Sequence, residues 1–130
     1  MSATARKPIT VLVVEDDPEL RALYRSALKA AGYQVVAVDD GLAALRHLEN
    51  EVPDAVVLDL TLPLLDGGDV YRELAARPST AHLPIIVVTG RTLSDRDAKE
   101  FACVLRKPLH VESLINEIEQ CVRHAGSRLL

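Results

Sequence analysis

Residues 10–18 read TVLVVEDDP, and this stretch decides the fold. Thr10 to Val14 is a short β-branched apolar run, the pattern of a strand buried on both faces. Glu15, Asp16 and Asp17 end it. Asp17 can cap a helix, and Pro18 suits the first helical position, where no N–H is needed. Leu20, Leu23, Tyr24, Ala27, Leu28 and Ala31 then recur at three- and four-residue spacing, one apolar helix face, and Gly32 is the expected stop. A strand, an acidic turn and a helix thus follow each other without a linker.

The same alternation repeats down the chain. Gln34 to Val38 reads as a second strand, Asp39-Asp40-Gly41 as a turn, and Leu42, Leu45 and Leu48 as a second helix ending near Asn50. Ala55 to Leu58 forms a third strand that ends at Asp59. A loop carries Pro63, and Asp66-Gly67 reads as a turn without chemistry. A third helix is expected from about Asp69 to Arg77, with Val70, Leu74 and Ala75 inward. Ile85 to Thr89 is a fourth strand. A short helix near Asp95 to Phe101 has Ser94 and Asp97 at capping-box spacing. Ala102 to Leu105 is a fifth strand, Lys107-Pro108 breaks it, and a last helix runs from about Val111 to His124. Strands alternating with helices imply right-handed crossovers and a doubly wound α/β domain with a parallel sheet.

Composition narrows the function classes. The 130 residues suffice for one domain, and 48% are apolar, enough for a core without metal or disulfide staples. The net charge of −4, from 19 acids and 15 bases, argues against a nucleic-acid-binding face. No apolar run reaches the roughly 18–20 residues of a membrane span, and Met1 to Lys7 shows no signal-peptide core. Cys103 and Cys121 lack metal-type spacing and read as reduced thiols of a cytoplasmic protein. His47, His82, His110 and His124 share no spacing and read as surface residues.

In open parallel sheets, ligands bind beyond the carboxyl ends of the strands. Glu15, Asp16 and Asp17 follow the first strand, Asp59 ends the third, Thr89-Gly90 the fourth, and Arg106-Lys107 the fifth. If strands one and three are neighbours, Glu15 or Asp16 converges with Asp59, and Thr89 and Lys107 border the spot. Two carboxylates 4 Å apart repel by about 4 kcal/mol at an effective dielectric near 20. The cluster therefore needs Lys107 and a cation, and all-oxygen ligands suit Mg²⁺. Asp17 reads as a helix cap rather than a ligand.

The segments VLVVEDDPELR, VVLDLTLPLLDG and PIIVVTGR, with the pair Lys107-Pro108, resemble the receiver domain of bacterial response regulators over roughly Ile9 to Val122. The resemblance implies a flavodoxin-like five-stranded sheet of order 2-1-3-4-5 with five helices. Residues 1–8 would be a disordered segment, 9–124 the receiver and 125–130 a tail. It implies that Asp59 accepts a phosphoryl group from the phosphohistidine of a sensor histidine kinase or phosphotransfer protein. Mg²⁺ would be held by Glu15, Asp16, Asp59 and the Thr61 carbonyl. Thr89 and Lys107 would bind the phosphoryl group, Gly90 would be the small residue beside it, and the bond to Pro108 would be cis.

Output would pass through the surface of the fourth helix, fifth strand and fifth helix to a protein target. That surface would offer Arg91, Arg96, Lys99, Arg106 and His110, or form a homodimer. No nucleic acid or membrane is expected as a direct partner. The domain would be a phosphoacceptor rather than an enzyme, with self-dephosphorylation as its one activity. A stand-alone regulator and a receiver cut from a longer protein both fit.

One departure stands out: Val104 occupies the strand-five position where receivers place a switching aromatic. The fourth helix, with few apolar anchors, is expected to be short and mobile. Two rival readings remain. A degenerate receiver used as a non-phosphorylated scaffold would lack the acceptor, the acids or the lysine, and all are present. A phosphatase or nucleotide-binding protein would show a second Asp two residues after Asp59, a G-x-G-x-x-G or a P-loop, and none occurs.

Overall fold

The computed structural model describes the backbone of residues 8–128 and the side chains of residues 8–123. Five strands alternate with five helices: β1 Thr10–Val14, α1 Pro18–Ala30, β2 Gln34–Val38, α2 Gly41–Asn50, β3 Ala55–Asp59, α3 Gly67–Ala76, β4 Ile85–Thr89, α4 Asp95–Glu100, β5 Cys103–Arg106 and α5 Val111–Arg128. All pairings are parallel, and the sheet order is β2-β1-β3-β4-β5. This is the doubly wound order expected from the sequence.

Successive strand residues point to opposite faces, so each continuous apolar run feeds two cores. Val11, Val13, Val57, Ile86 and Val88 pack under Tyr24 and Leu28 of α1 and Leu114 and Ile118 of α5. Leu12, Val14, Val56 and Leu58 pack under Ala44 and Leu48 of α2 and Val70 and Leu74 of α3. A smaller patch joins Leu60, Val87 and Phe101, with Val104 and Tyr71 against it. The register sets Val14 beside Leu58, Asp59 beside Val88 and Thr89 beside Arg106. The polar residues that follow β1, β3, β4 and β5 thus emerge along one edge.

The caps explain the helix starts. Asp17 accepts from the N–H groups of Glu19 and Leu20, and Pro18 opens α1. Gly32 follows α1 at φ +101°, the left-handed conformation a glycine adopts without strain. Asp40, expected in a turn, caps α2 through Ala43 N–H.

Several boundaries correct the sequence reading. α3 starts at Gly67, two residues before Asp69. Asp66 caps it by accepting from Gly68 N–H, and a Cβ at Gly67 would lie 2.2 Å from the Asp59 carbonyl oxygen, so only glycine fits there. α3 ends one residue before Arg77, and Ala75 faces solvent. β5 starts at Cys103 rather than Ala102, because its register is set by pairing Ile86 with Cys103. α5 continues four residues past His124 to Arg128, since a lone glycine, Gly126, weakens a helix without stopping it.

The expected disordered segment lies, up to residue 7, outside the described residues, as do positions 129–130. Among the described residues no helix is long and apolar enough to cross a membrane. Cys103 and Cys121 carry free thiols, and burial pushes the Cys103 thiol up to about 12.

Candidate functional site

The carboxyl edge of the sheet gathers the acids. Glu15 is 1% exposed and Asp59 4%, each directly beyond or at the end of a strand that is paired on both sides. Asp16, one residue on, is exposed. One carboxylate oxygen from each of the three lies within 4.8 Å of the others. With Asp17, Thr61, Gly90, Arg91 and Lys107 they line an open pocket of about 390 Å³.

Lys107 reaches this cluster from the loop after β5. Its Nζ is 2.8 Å from Glu15 Oε1 and 3.2 Å from Asp59 Oδ2. The bond from Lys107 to Pro108 is cis. The Thr61 N–H donates to Asp59 Oδ1 at 3.1 Å. Both oxygens of the Asp59 carboxylate are thus held, and its plane is fixed. Arg21 on α1 donates from Nη1 to the carbonyls of Glu15 (3.1 Å) and Asp16 (3.3 Å), which braces the acidic turn.

Thr89, at the end of β4, is fully buried, and its Oγ1 accepts the Arg91 N–H at 3.1 Å. Asp17 lines the pocket, but its carboxylate is taken by the α1 cap. Arg91, which also lies two residues after Thr89, where receivers tune dephosphorylation, stands at the pocket with its guanidinium 3.4 Å from Asp66. Arg21 and Asp66 are the residues that sequence reasoning missed. Arg21 lies one α1 turn beyond Asp17, a spacing that could have pointed to it. The remaining cations of the proposed output face, Arg96, Lys99 and Arg106, are exposed, as is His110. Among the described residues, no histidine joins a cluster of metal-type donors.

The electrostatics show what the cluster lacks. Burial pushes Glu15 up to about 7; the Lys107 hydrogen bond opposes this, and Asp59 raises it further. Burial works against the charge on Lys107, but Glu15 and Asp59 outweigh it and hold the ammonium above its ordinary range. One lysine faces two buried carboxylates and an exposed third. The remaining negative charge, the all-oxygen donors and the open mouth fit a hard divalent cation such as Mg²⁺.

Comparison with known proteins agrees with this geometry. The family model for the response regulator receiver domain matches residues 11–119. Response regulator MprA of Mycobacterium sp. (strain KMS) is 40% identical over 92% of this chain, which covers 53% of that protein. The probable transcriptional regulatory protein TcrX of Mycobacterium tuberculosis is 32% identical over 92% of this chain and 52% of its own length. The chain therefore spans about half the length of these curated relatives. Among solved structures, the receiver domain of sensor histidine kinase PA1611 from Pseudomonas aeruginosa superposes with a TM-score of 0.81 at 29% identity. That match covers 89% of this chain and 98% of that one, and that structure has a magnesium ion coordinated in its active-site cleft.

Proposed function

The chain belongs to the response regulator receiver domain family, and on that premise we propose that it is a phosphorylation switch in two-component signalling, with Asp59 as acceptor. The observation that carries this reading is the convergence of Glu15, Asp16, Asp59 and Lys107 in one open pocket.

Asp59 attacks the phosphorus of a phosphohistidine donated by a sensor histidine kinase or phosphotransfer protein. A P–O bond forms as the P–N bond breaks, and the departing imidazole keeps the electron pair. The Thr61 N–H and Lys107 hold the carboxylate for in-line approach, and Lys107 stays to pair with a phosphoryl oxygen. Glu15, Asp16, Asp59 and the Thr61 carbonyl would hold Mg²⁺, which supplies charge neutralisation at the transferring group. Beside Lys107, the side chains of Leu20, Leu23, Tyr24, Pro108 and Leu109 line an apolar groove, and Leu23 is 48% exposed. A protein donor reaching Asp59 can bury that groove.

The phosphoryl group then accepts the Thr89 O–H, whose oxygen accepts the Arg91 N–H, and the segment between β4 and α4 shifts as the hydroxyl turns toward the pocket. That alters the surface of α4, β5 and α5 presented to a protein target, or to a second copy of the chain. The alternative of a scaffold that is never phosphorylated finds no support in the site, since acceptor, acids and lysine all meet. Titration with beryllofluoride tests the proposal. A bound ¹⁹F signal that requires Mg²⁺ and disappears in Asp59→Asn is expected; a signal that survives the substitution, or none at all, overturns it.

A further inference from the structure

α4 is held by a different kind of contact from the other helices. α1, α2, α3 and α5 each bury apolar side chains in the two cores, whereas no residue of α4 is buried. Among the described residues, two adjacent residues of α3 make polar contacts with it. Arg72 Nη2 is 3.1 Å from Asp97 Oδ1 and 3.0 Å from Glu100 Oε1. Tyr71 donates its hydroxyl to the Glu100 carbonyl at 3.2 Å. Its ring meets Phe101 edge-on with centroids 4.7 Å apart. Phe101 caps the carboxyl end of α4 and is buried on Leu60 and Val87.

Two details show that this contact overrides local preference while staying weak. Ser94 Oγ accepts the Asp97 N–H, but the Asp97 carboxylate turns to Arg72, so the capping box is only half made. Arg72 Nε and Glu100 Oε1 are shielded from water yet make no well-directed hydrogen bond. Unsatisfied groups of this kind oppose the arrangement that shields them.

The start of α3 is in turn fixed to the acceptor. Gly67 N–H donates to the Leu60 carbonyl at 2.9 Å, and its Cα faces the Asp59 carbonyl. Asp66, the α3 cap, holds Arg91 of the segment that leads to α4. α3 therefore touches both the acceptor strand and the element that follows Thr89.

We propose that Tyr71 and Arg72 are positioning residues: they hold α4 in its resting place, and release of that hold carries the state of the Asp59 pocket to the surface through α3. The hold is a property of the free chain; its release rests on the phosphoacceptor reading above. Val104, a half-buried aliphatic on the same patch, has no polar tip with which to signal, whereas Tyr71 has one engaged on α4.

Amide hydrogen exchange on the full chain tests this. Arg72→Met keeps the apolar stem and removes the charge. It is expected to speed exchange at residues 98–101 by about fivefold, with β1 and β3 unchanged, because a partly exposed ion pair is worth little more. About 0.5 M NaCl should narrow the difference between wild type and variant. The swap of Arg72→Glu with Asp97→Arg should restore part of the protection, which a general loss of packing would not allow. Unchanged exchange at 98–101 in Arg72→Met, or uniform acceleration across the chain, overturns the hold. With Mg²⁺ and beryllofluoride, wild-type α4 should exchange faster, and Arg72→Met should add no further acceleration. Bound fluoride with unchanged α4 exchange overturns the link to the pocket. No bound fluoride overturns the phosphoacceptor reading instead, and the free-chain comparison still decides the hold.

Discussion

The acceptor pocket and α4 lie on either side of a few residues after β4, and they are built on opposite terms. In the pocket, Glu15 and Asp59 are at most 4% exposed and sit at the ends of strands β1 and β3, each paired on both sides. α4 buries nothing and leans on Arg72 and Tyr71. On the proposed reading, the difference is how a small phosphorylation switch would divide its work. Converging charges need a scaffold that cannot relax, or the carboxylates move apart and the site is lost. A reporter needs the reverse, since a single phosphoryl group supplies limited free energy and can move only what is weakly held.

The largest expected effect tests the rigidity of the first region. A Cβ at Gly67 would meet the Asp59 carbonyl oxygen at 2.2 Å and Leu60 Cα at 2.5 Å, both backbone atoms that cannot step aside. Gly67→Ala should cost about 3 kcal/mol or more of stability, read as a lower urea midpoint. A normal midpoint would show that the acceptor loop is softer than its packing suggests.

Next comes charge. Glu15 sits near 7 in the fold, above its ordinary 4.5. The folded chain therefore holds more protons than the unfolded one between those values, and stability falls as pH rises through that window. Lys107, held above its ordinary value, contributes stability that disappears only as pH rises beyond the lysine range. Urea midpoints at pH 5 and pH 7.5 without Mg²⁺ should show the fall. Mg²⁺ at a hundredfold excess over its Kd should add about 2.7 kcal/mol at the higher pH, and much less at the lower one. Equal stabilisation at both pH values would separate Glu15 from the cation site.

Asp59→Asn removes one of the two buried carboxylates that share Lys107. It should raise stability of the metal-free chain by about 1 kcal/mol at pH 7.5 and bring Glu15 down from near 7, visible as a flatter pH profile. A lower stability would mean that the Lys107–Asp59 contact outweighs the repulsion. The smallest effect belongs to the open rim of the pocket: a Cβ at Gly90 meets only Lys107 Cβ at an ordinary 3.6 Å. Gly90→Ala should change stability by less than about 0.5 kcal/mol. A large loss there would mean that the rim is packed as tightly as the strand ends beneath it.

Much of this was legible in the chain because its strands are buried on both faces. A run such as AVVLD, with one acid at its end, announces both a central strand and a charge delivered to the sheet edge. The acidic pair, Asp59 and Lys107 could be placed together once the resemblance to receiver domains supplied the strand order. Other features depend on tertiary contacts. Asp66-Gly67 carries the same signals as a turn or as a helix start, and only the packing of Gly67 on Asp59 decides between them. The full burial of Thr89 is a tertiary feature that its residue type does not announce. Arg72 meets Asp97 across 25 residues of chain, a pairing no local spacing encodes.

If Asp59 accepts a phosphoryl group in a cation-dependent reaction, incubation with acetyl phosphate and Mg²⁺ should leave one hydroxylamine-labile phosphate per chain, lost in Asp59→Asn and when Mg²⁺ is chelated. No label on the wild-type chain, or equal label on Asp59→Asn, would contradict it.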